Sequence, residues 1–199
     1  MSVRTFVDEH YRHFNAGTLG RAARSLNGFL EEGGQVFVTL AGAMSTAEIG
    51  RTLAEMIRAG HVAAISCTGA NLEEDLFNLV AHDAYVSIPS PENLSPEDEA
   101  NLFERRLNRV TDVCIPEEEA IRVIEQELMK LWTDAQAADE SLLPHLHLYR
   151  LLTSGSLATS FQSDPKHSWL LAAAERNLPL YVPGWEDSTL GNIFAANCI

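Results

Sequence analysis

The stretch QVFVTLAGAMSTAEIGRTLAEMIRAGHVAAISCTGANLEEDLFNL, Gln35 to Leu79, decides the fold. Val36, Phe37, Val38 and Leu40 are an apolar, β-branched run of strand length. Small residues follow at Ala41, Gly42 and Ala43, and Ser45 or Thr46 stands where a helix N-cap belongs. Ile49, Leu53, Met56 and Ile57 fall at helical spacing, with Gly60 as the stop. Val62 to Ser66 reads as a second strand, and Thr68-Gly69-Ala70-Asn71 turns the chain into an element that opens with Glu73, Glu74 and Asp75. Strand, small-residue turn and helix, twice over, is how parallel sheets are built, and their ligands sit at the carboxyl ends of the strands. A helix N-terminus presents unpaired N–H groups and partial positive charge, and small residues let a ligand approach the backbone. Taken singly, each turn is better explained as a tight connection, because neither carries the G-x-G-x-x-G fingerprint.

The first 30 residues pattern as helices, around Phe6, Val7, Tyr11 and Phe14 and then Leu19 to Leu30, and Gly33-Gly34 stops them. Downstream, Ala84 to Ile88 reads as a third strand. A proline- and charge-rich excursion follows, with a helix over 96–107 capped by Ser95. Val110 to Ile115 reads as a fourth strand, and Pro116 with Glu117, Glu118 and Glu119 opens a long helix with acids at its positive end. Residues 133–140 read as a polar loop and Pro144 to Thr153 as helix. Asp164-Pro165 starts a helix running to about Asn177, Leu178 to Val182 is a fifth strand, and a last helix starts near Ser188. The expected organisation is an N-terminal helical segment, 1–34, and an α/β domain, 35–199, with a mainly parallel sheet.

The chain has 199 residues, 46% of them hydrophobic, enough for one substantial core. No apolar run approaches the roughly 20 residues that span a bilayer, and no signal-peptide pattern opens the chain. A cytoplasmic, membrane-independent protein is the expectation. A net charge of −14 argues against nucleic acid and is compatible with a cationic partner such as a polyamine. Cys67, Cys114 and Cys198 have neither zinc nor C-x-x-C spacing, so they read as reduced thiols. His10 with His13, and His145 with His147, lack the partners a metal site needs, so no metal is expected.

The sequence resembles the deoxyhypusine synthase family, in its shorter prokaryotic deoxyhypusine synthase-like form. The resemblance rests on Asn15-Ala16-Gly17 leading to Gly20-Arg21-Ala22, on Leu40-Ala41-Gly42-Ala43-Met44-Ser45, and on Thr68-Gly69-Ala70-Asn71-Leu72-Glu73-Glu74-Asp75-Leu76. Leu107-Asn108-Arg109-Val110 before Ile115-Pro116, and Trp185-Glu186-Asp187-Ser188-Thr189-Leu190-Gly191, complete it in the family's order. It covers the whole chain but about the first six-tenths of the family's usual length, so the domain is expected to be truncated relative to the family.

The resemblance implies a Rossmann-like three-layer fold, incomplete at its C-terminus, and a homotetramer, a dimer of dimers. It also implies NAD as cofactor and spermidine or a related polyamine as substrate. In that reaction NAD takes a hydride from spermidine, diaminopropane leaves, and the aminobutyl group passes through an imine on an enzyme lysine to an acceptor amine, a protein lysine or a polyamine. Carried over by position, Thr68, Gly69 and Ala70 line the NAD site, Glu74 is an acid at that site with Glu73 beside it, and Asp187 meets a ribose hydroxyl. Gly42 and Ala43 stand beside the nicotinamide where the family carries Ser and Asn. Asn192 replaces a spermidine-binding aspartate, and an amide is the weaker partner for an ammonium. The family's nucleophilic lysine has no counterpart: the two lysines, Lys130 and Lys166, lie outside its context and read as surface residues, so no catalytic residue is assigned. The alternatives are a pseudoenzyme or partner subunit that binds NAD or a family paralogue without turnover, and an unrelated small α/β binding protein.

Overall fold

The computed structural model describes residues 1–198. The chain divides into two compact units, Met1–Val36 and the part from Phe37 onward. The first holds α1 (Val3–His10) and α2 (Phe14–Glu31). Ser2 caps α1 by accepting from Thr5 N, and Arg24 of α2 pairs with Asp8 of α1 at 2.8 Å.

After the first helices the order is β1 (Val36–Leu40), α3 (Gly50–Arg58), β2 (Val62–Cys67), α4 (Gly69–Ala81), β3 (Val86–Ser87), α5 (Pro96–Glu104), β4 (Leu107–Val110), β5 (Val113–Pro116), α6 (Val123–Ala137), α7 (Pro144–Ser154), α8 (Trp169–Glu175), β6 (Leu180–Tyr181) and α9 (Thr189–Cys198). β2 lies between β1 and β6, and its pairing with β6 is parallel, Ile65 opposite Leu180 and Ser66 opposite Tyr181. The architecture is α/β.

One expectation is corrected here. The sheet does not continue through the middle of the chain. β3, β5 and β4 form a separate antiparallel sheet, with Val86 opposite Cys114 and Leu107 opposite Pro116. The single strand expected from Val110 to Ile115 is a hairpin: Val110 pairs with Val113 across Thr111-Asp112, and Thr111 takes φ 54°. Three boundaries also move. α6 continues to Ala137 through the expected loop, because Ala135 is buried and alanine is the best helix former. Asp164-Pro165 caps only a 3₁₀ turn, Pro165–His167, and Ser168 starts α8. Ser45 and Thr46 do not cap α3, which begins at Gly50 after a run of turns.

α4 is the centre of the core. Leu72, Leu76 and Ala81 are fully buried, with Phe77, Leu79 and Val80 nearly so. Its first turns are buried as well, so Asn71, Glu73, Glu74 and Asp75 are all inside the protein. α3 packs on α8, through a face that includes Leu53, Ala54 and Ile57. Among the described residues no helix is long and apolar enough to cross a membrane.

Candidate functional site

Three turns leave the carboxyl ends of β1, β2 and β6, and they meet. Thr68, the N-cap of α4, accepts at its Oγ1 from Asn71 N and donates to Gly42 O at 2.8 Å. Asn71, wholly buried, donates from Nδ2 to Gly42 O and to Thr68 Oγ1 at 2.8 and 2.7 Å, and its Oδ1 accepts from Ser45 N at 3.2 Å. Ser45 Oγ donates to Asn71 O at 2.6 Å and accepts from the Trp169 indole at 2.9 Å. These bonds fasten the turn after β1 onto the start of α4. The turn after β6 arrives from the other side, and steric fit fixes it there. A Cβ on Gly69 would lie 2.6 Å from Ser188 Cβ, and one on Gly191 would lie 2.2 Å from Trp185 O. Both contacts are shorter than real atoms allow, so both positions require glycine.

Glu73, Glu74 and Asp75 follow one another at about 100° around α4, and each reaches a different segment. Glu73 accepts from Thr189 N at 3.0 Å and Leu190 N at 2.8 Å, one carboxylate oxygen to each. Glu74 Oε2 accepts from Thr46 Oγ1 at 2.7 Å and Thr46 N at 3.3 Å. Asp75 accepts from Ser168 Oγ at 2.5 Å, Trp169 N at 3.3 Å and Leu170 N at 3.1 Å. The first and third acids do the same job. The opening donors of α8 are met by Asp75, by Ser168 Oγ, which accepts from Leu171 N, and by Ser168 O, which accepts from Ala172 N. In α9 the corresponding acceptors are Glu73, Ser188 Oγ for Gly191 N, and Ser188 O for Asn192 N. A helix leaves four N–H groups unpaired at its start. Here, in both helices, the distant acid of α4 takes two of them and the serine Oγ a third, while the serine's own N–H bonds back to Pro165 O before α8 and to Trp185 O before α9. Burial pushes all three acids above their ordinary carboxyl range, Asp75 up to about 6.

The residues singled out by sequence fall as follows. Gly42 adopts φ 63° with open space at its Cβ position, and Ala43 beside it is half-buried. Thr68 and Ala70 are half-buried and Gly69 is buried. Among the described residues Gly69 N and Ala70 N, the first two donors of α4, have no hydrogen-bond partner. Glu74 is buried, with both of its bonds on one oxygen. Asp187 is exposed at the end of the short turn Trp185–Asp187, next to Ser188. Asn192 lies a turn further along, where its Nδ2 donates to Ser188 O at 2.8 Å, and it lines a cleft of about 520 Å³ with Glu117, Arg122 and Glu125. Arg122 bonds both glutamates, leaving the cleft one carboxylate in excess. Lys130 pairs with Glu127 and Lys166 with Asp164, both on the surface.

Sequence reading missed Ser45 and Asn71 as the bonds between the turns, Ser188 as the steric stop against Gly69, and Asp75 as a cap. Ser168-x-x-Leu171 and Ser188-x-x-Gly191 carry the local half of the signal, a serine three residues before a free N–H; the acid on α4 is invisible without the fold.

Cys67 ends β2 beneath this cluster. Burial pushes its thiol up to about 12. In the folded chain at neutral pH, iodoacetamide is expected to modify the half-exposed Cys198 well before Cys67, and Cys67 should react only on unfolding. Peptide mass spectrometry reads the order.

Fold and site together define an α/β protein whose turns gather at the carboxyl ends of its parallel strands, the place where such sheets hold ligands. Residues 8–198 match the family model for deoxyhypusine synthase, and the chain belongs to that family. It is 27% identical to the Archaeoglobus fulgidus protein named "Probable deoxyhypusine synthase 1", over 89% of this chain and 53% of that one. It is also 27% identical to the deoxyhypusine synthase-like proteins of Cyanothece sp. and Nostoc sp., over 98% of this chain and 48% and 50% of theirs. The chain thus spans about half the length of the curated relatives it matches.

Proposed function

We propose that the chain is the NAD-binding part of a deoxyhypusine synthase-like transferase, which moves the 4-aminobutyl group of spermidine to an acceptor amine. Support comes chiefly from one observation: among the described residues Gly69 N and Ala70 N are unpartnered, whereas the donors that open α8 and α9 are all taken. The start of α4 therefore keeps the capacity to bind an anion that the other two helices have used. In this proposal Gly42, Ala43, Thr68, Gly69 and Ala70 form the backbone cradle, Asp187 holds a ribose, and the second oxygen of Glu74 is left for the cofactor. When bound, NAD supplies the hydride acceptor. Asn192 and the cleft beside it take the polyamine, with Glu117 and Glu125 supplying negative charge that Asn192 lacks. The working assembly is a cytoplasmic homotetramer, a dimer of dimers.

The positions of the lysines favour a second reading for the chain alone. Both ε-ammonium groups are exposed and ion-paired with carboxylates, whereas an imine-forming lysine is activated by burial or a nearby cation. The isolated chain then binds NAD, or a family paralogue, without turnover. Calorimetry with NAD tests the cofactor, and Asp187→Ala should weaken binding by about 1–3 kcal/mol. Unchanged affinity in that variant removes Asp187 from the site, and no binding by the wild type removes the site. NADH absorbance growing in a mixture of chain, spermidine and NAD would overturn the no-turnover reading.

A further inference from the structure

We propose that Glu73 is a positioning residue, which holds the turn carrying Asp187 against the Thr68–Ala70 turn and does not itself touch a ligand. The proposal rests on the NAD reading above. Glu73 is 4% exposed, and both of its oxygens are taken by the first two N–H groups of α9. Its immediate neighbour Glu74 differs in this respect, with both bonds on one oxygen. Ser188 shares the same structural unit. Its Oγ donates to Trp185 O at 2.7 Å and accepts from Gly191 N at 3.0 Å, and its Cβ sits where a side chain on Gly69 would go. Glu73 grips α9 one and two residues after Ser188, and Asp187 lies one residue before it. The carboxylate is thus the polar tie, and the Gly69–Ser188 contact the steric stop, that set how far Asp187 stands from the first donors of α4. Glu73→Gln leaves one acceptor oxygen where two donors converge and turns an NH₂ toward the other, so the turn loses one of its two ties.

The test is a double-mutant cycle on NAD affinity, using Glu73→Gln, Asp187→Ala and the pair, with amide exchange at Thr189 and Leu190 measured in each folded variant. Glu73→Gln is expected to speed exchange at those two amides and to weaken NAD about tenfold. In the Asp187→Ala background the Glu73 change should cost little more, because the residue it positions is gone. An undiminished loss in that background overturns the proposal, as does unchanged exchange at the two amides. If the wild-type chain binds no NAD, the cofactor reading fails by itself. The exchange data then still decide whether Glu73 ties the turn.

Discussion

Asp75→Ala is expected to lower the unfolding free energy by about 3–5 kcal/mol, read from urea melts. The alanine removes the acceptor of Ser168 Oγ, Trp169 N and Leu170 N, all buried. The start of α8 also loses an anion at its positive end. For a domain of ordinary stability that is a large share of the total. Asp75→Asn keeps one acceptor and should cost less, and it isolates a pH effect. Burial holds the folded carboxyl at about 6, above the unfolded value near 4. The native chain therefore takes the proton more readily, and this group's contribution is complete below about pH 4 and lost as the pH rises through 6. His145 and His147 act oppositely: burial lowers both, so their contribution falls away as the pH drops below about 6.5. Both proteins keep the histidines, so the difference between wild type and Asp75→Asn cancels them. A difference that stays flat from pH 4 to 7 would refute the raised carboxyl.

Gly191→Ala should cost about 3 kcal/mol and release the turn after β6. The new methyl would sit 2.2 Å from Trp185 O and 2.9 Å from Ser188 Oγ, and the first of these is backbone, which no rotamer change can move aside. Relief requires α9 and the Trp185–Asp187 turn to separate, breaking the bonds of Ser188 to Trp185 O and Gly191 N. Gly28→Ala, whose Cβ would meet nothing within 4 Å, is the control and should show no loss. Equal melting of the two variants would show that the turn tolerates the displacement.

Much of this was legible in the sequence. β1 and β2 followed from local pattern, because each depends on residues close together in the chain, whereas α4 starts at Gly69 under a Thr68 cap and not, as expected, at Glu73. The hairpin at Thr111 did not, since neither Thr111 nor Asp112 is a glycine or asparagine to announce a turn. Asp164-Pro165 gave a strong start signal that hid the true cap at Ser168. Acids in the first turns of a helix suggest stabilisation of that helix's own start, yet Glu73 and Asp75 stabilise the starts of α9 and α8, not that of their own α4. Only the packing of α4 beneath those helices distinguishes the two, and spacing along the chain does not record it.

Asp75 meets Ser168 across 93 residues and Glu73 meets Leu190 across 117. A ribosome adding about 5–20 residues per second needs roughly 5–25 s to deliver those partners. Until then Glu73 and Asp75 of the nascent α4 lack these partners, while Glu74 already has Thr46. The centre of the domain therefore closes only after α9 has been synthesised.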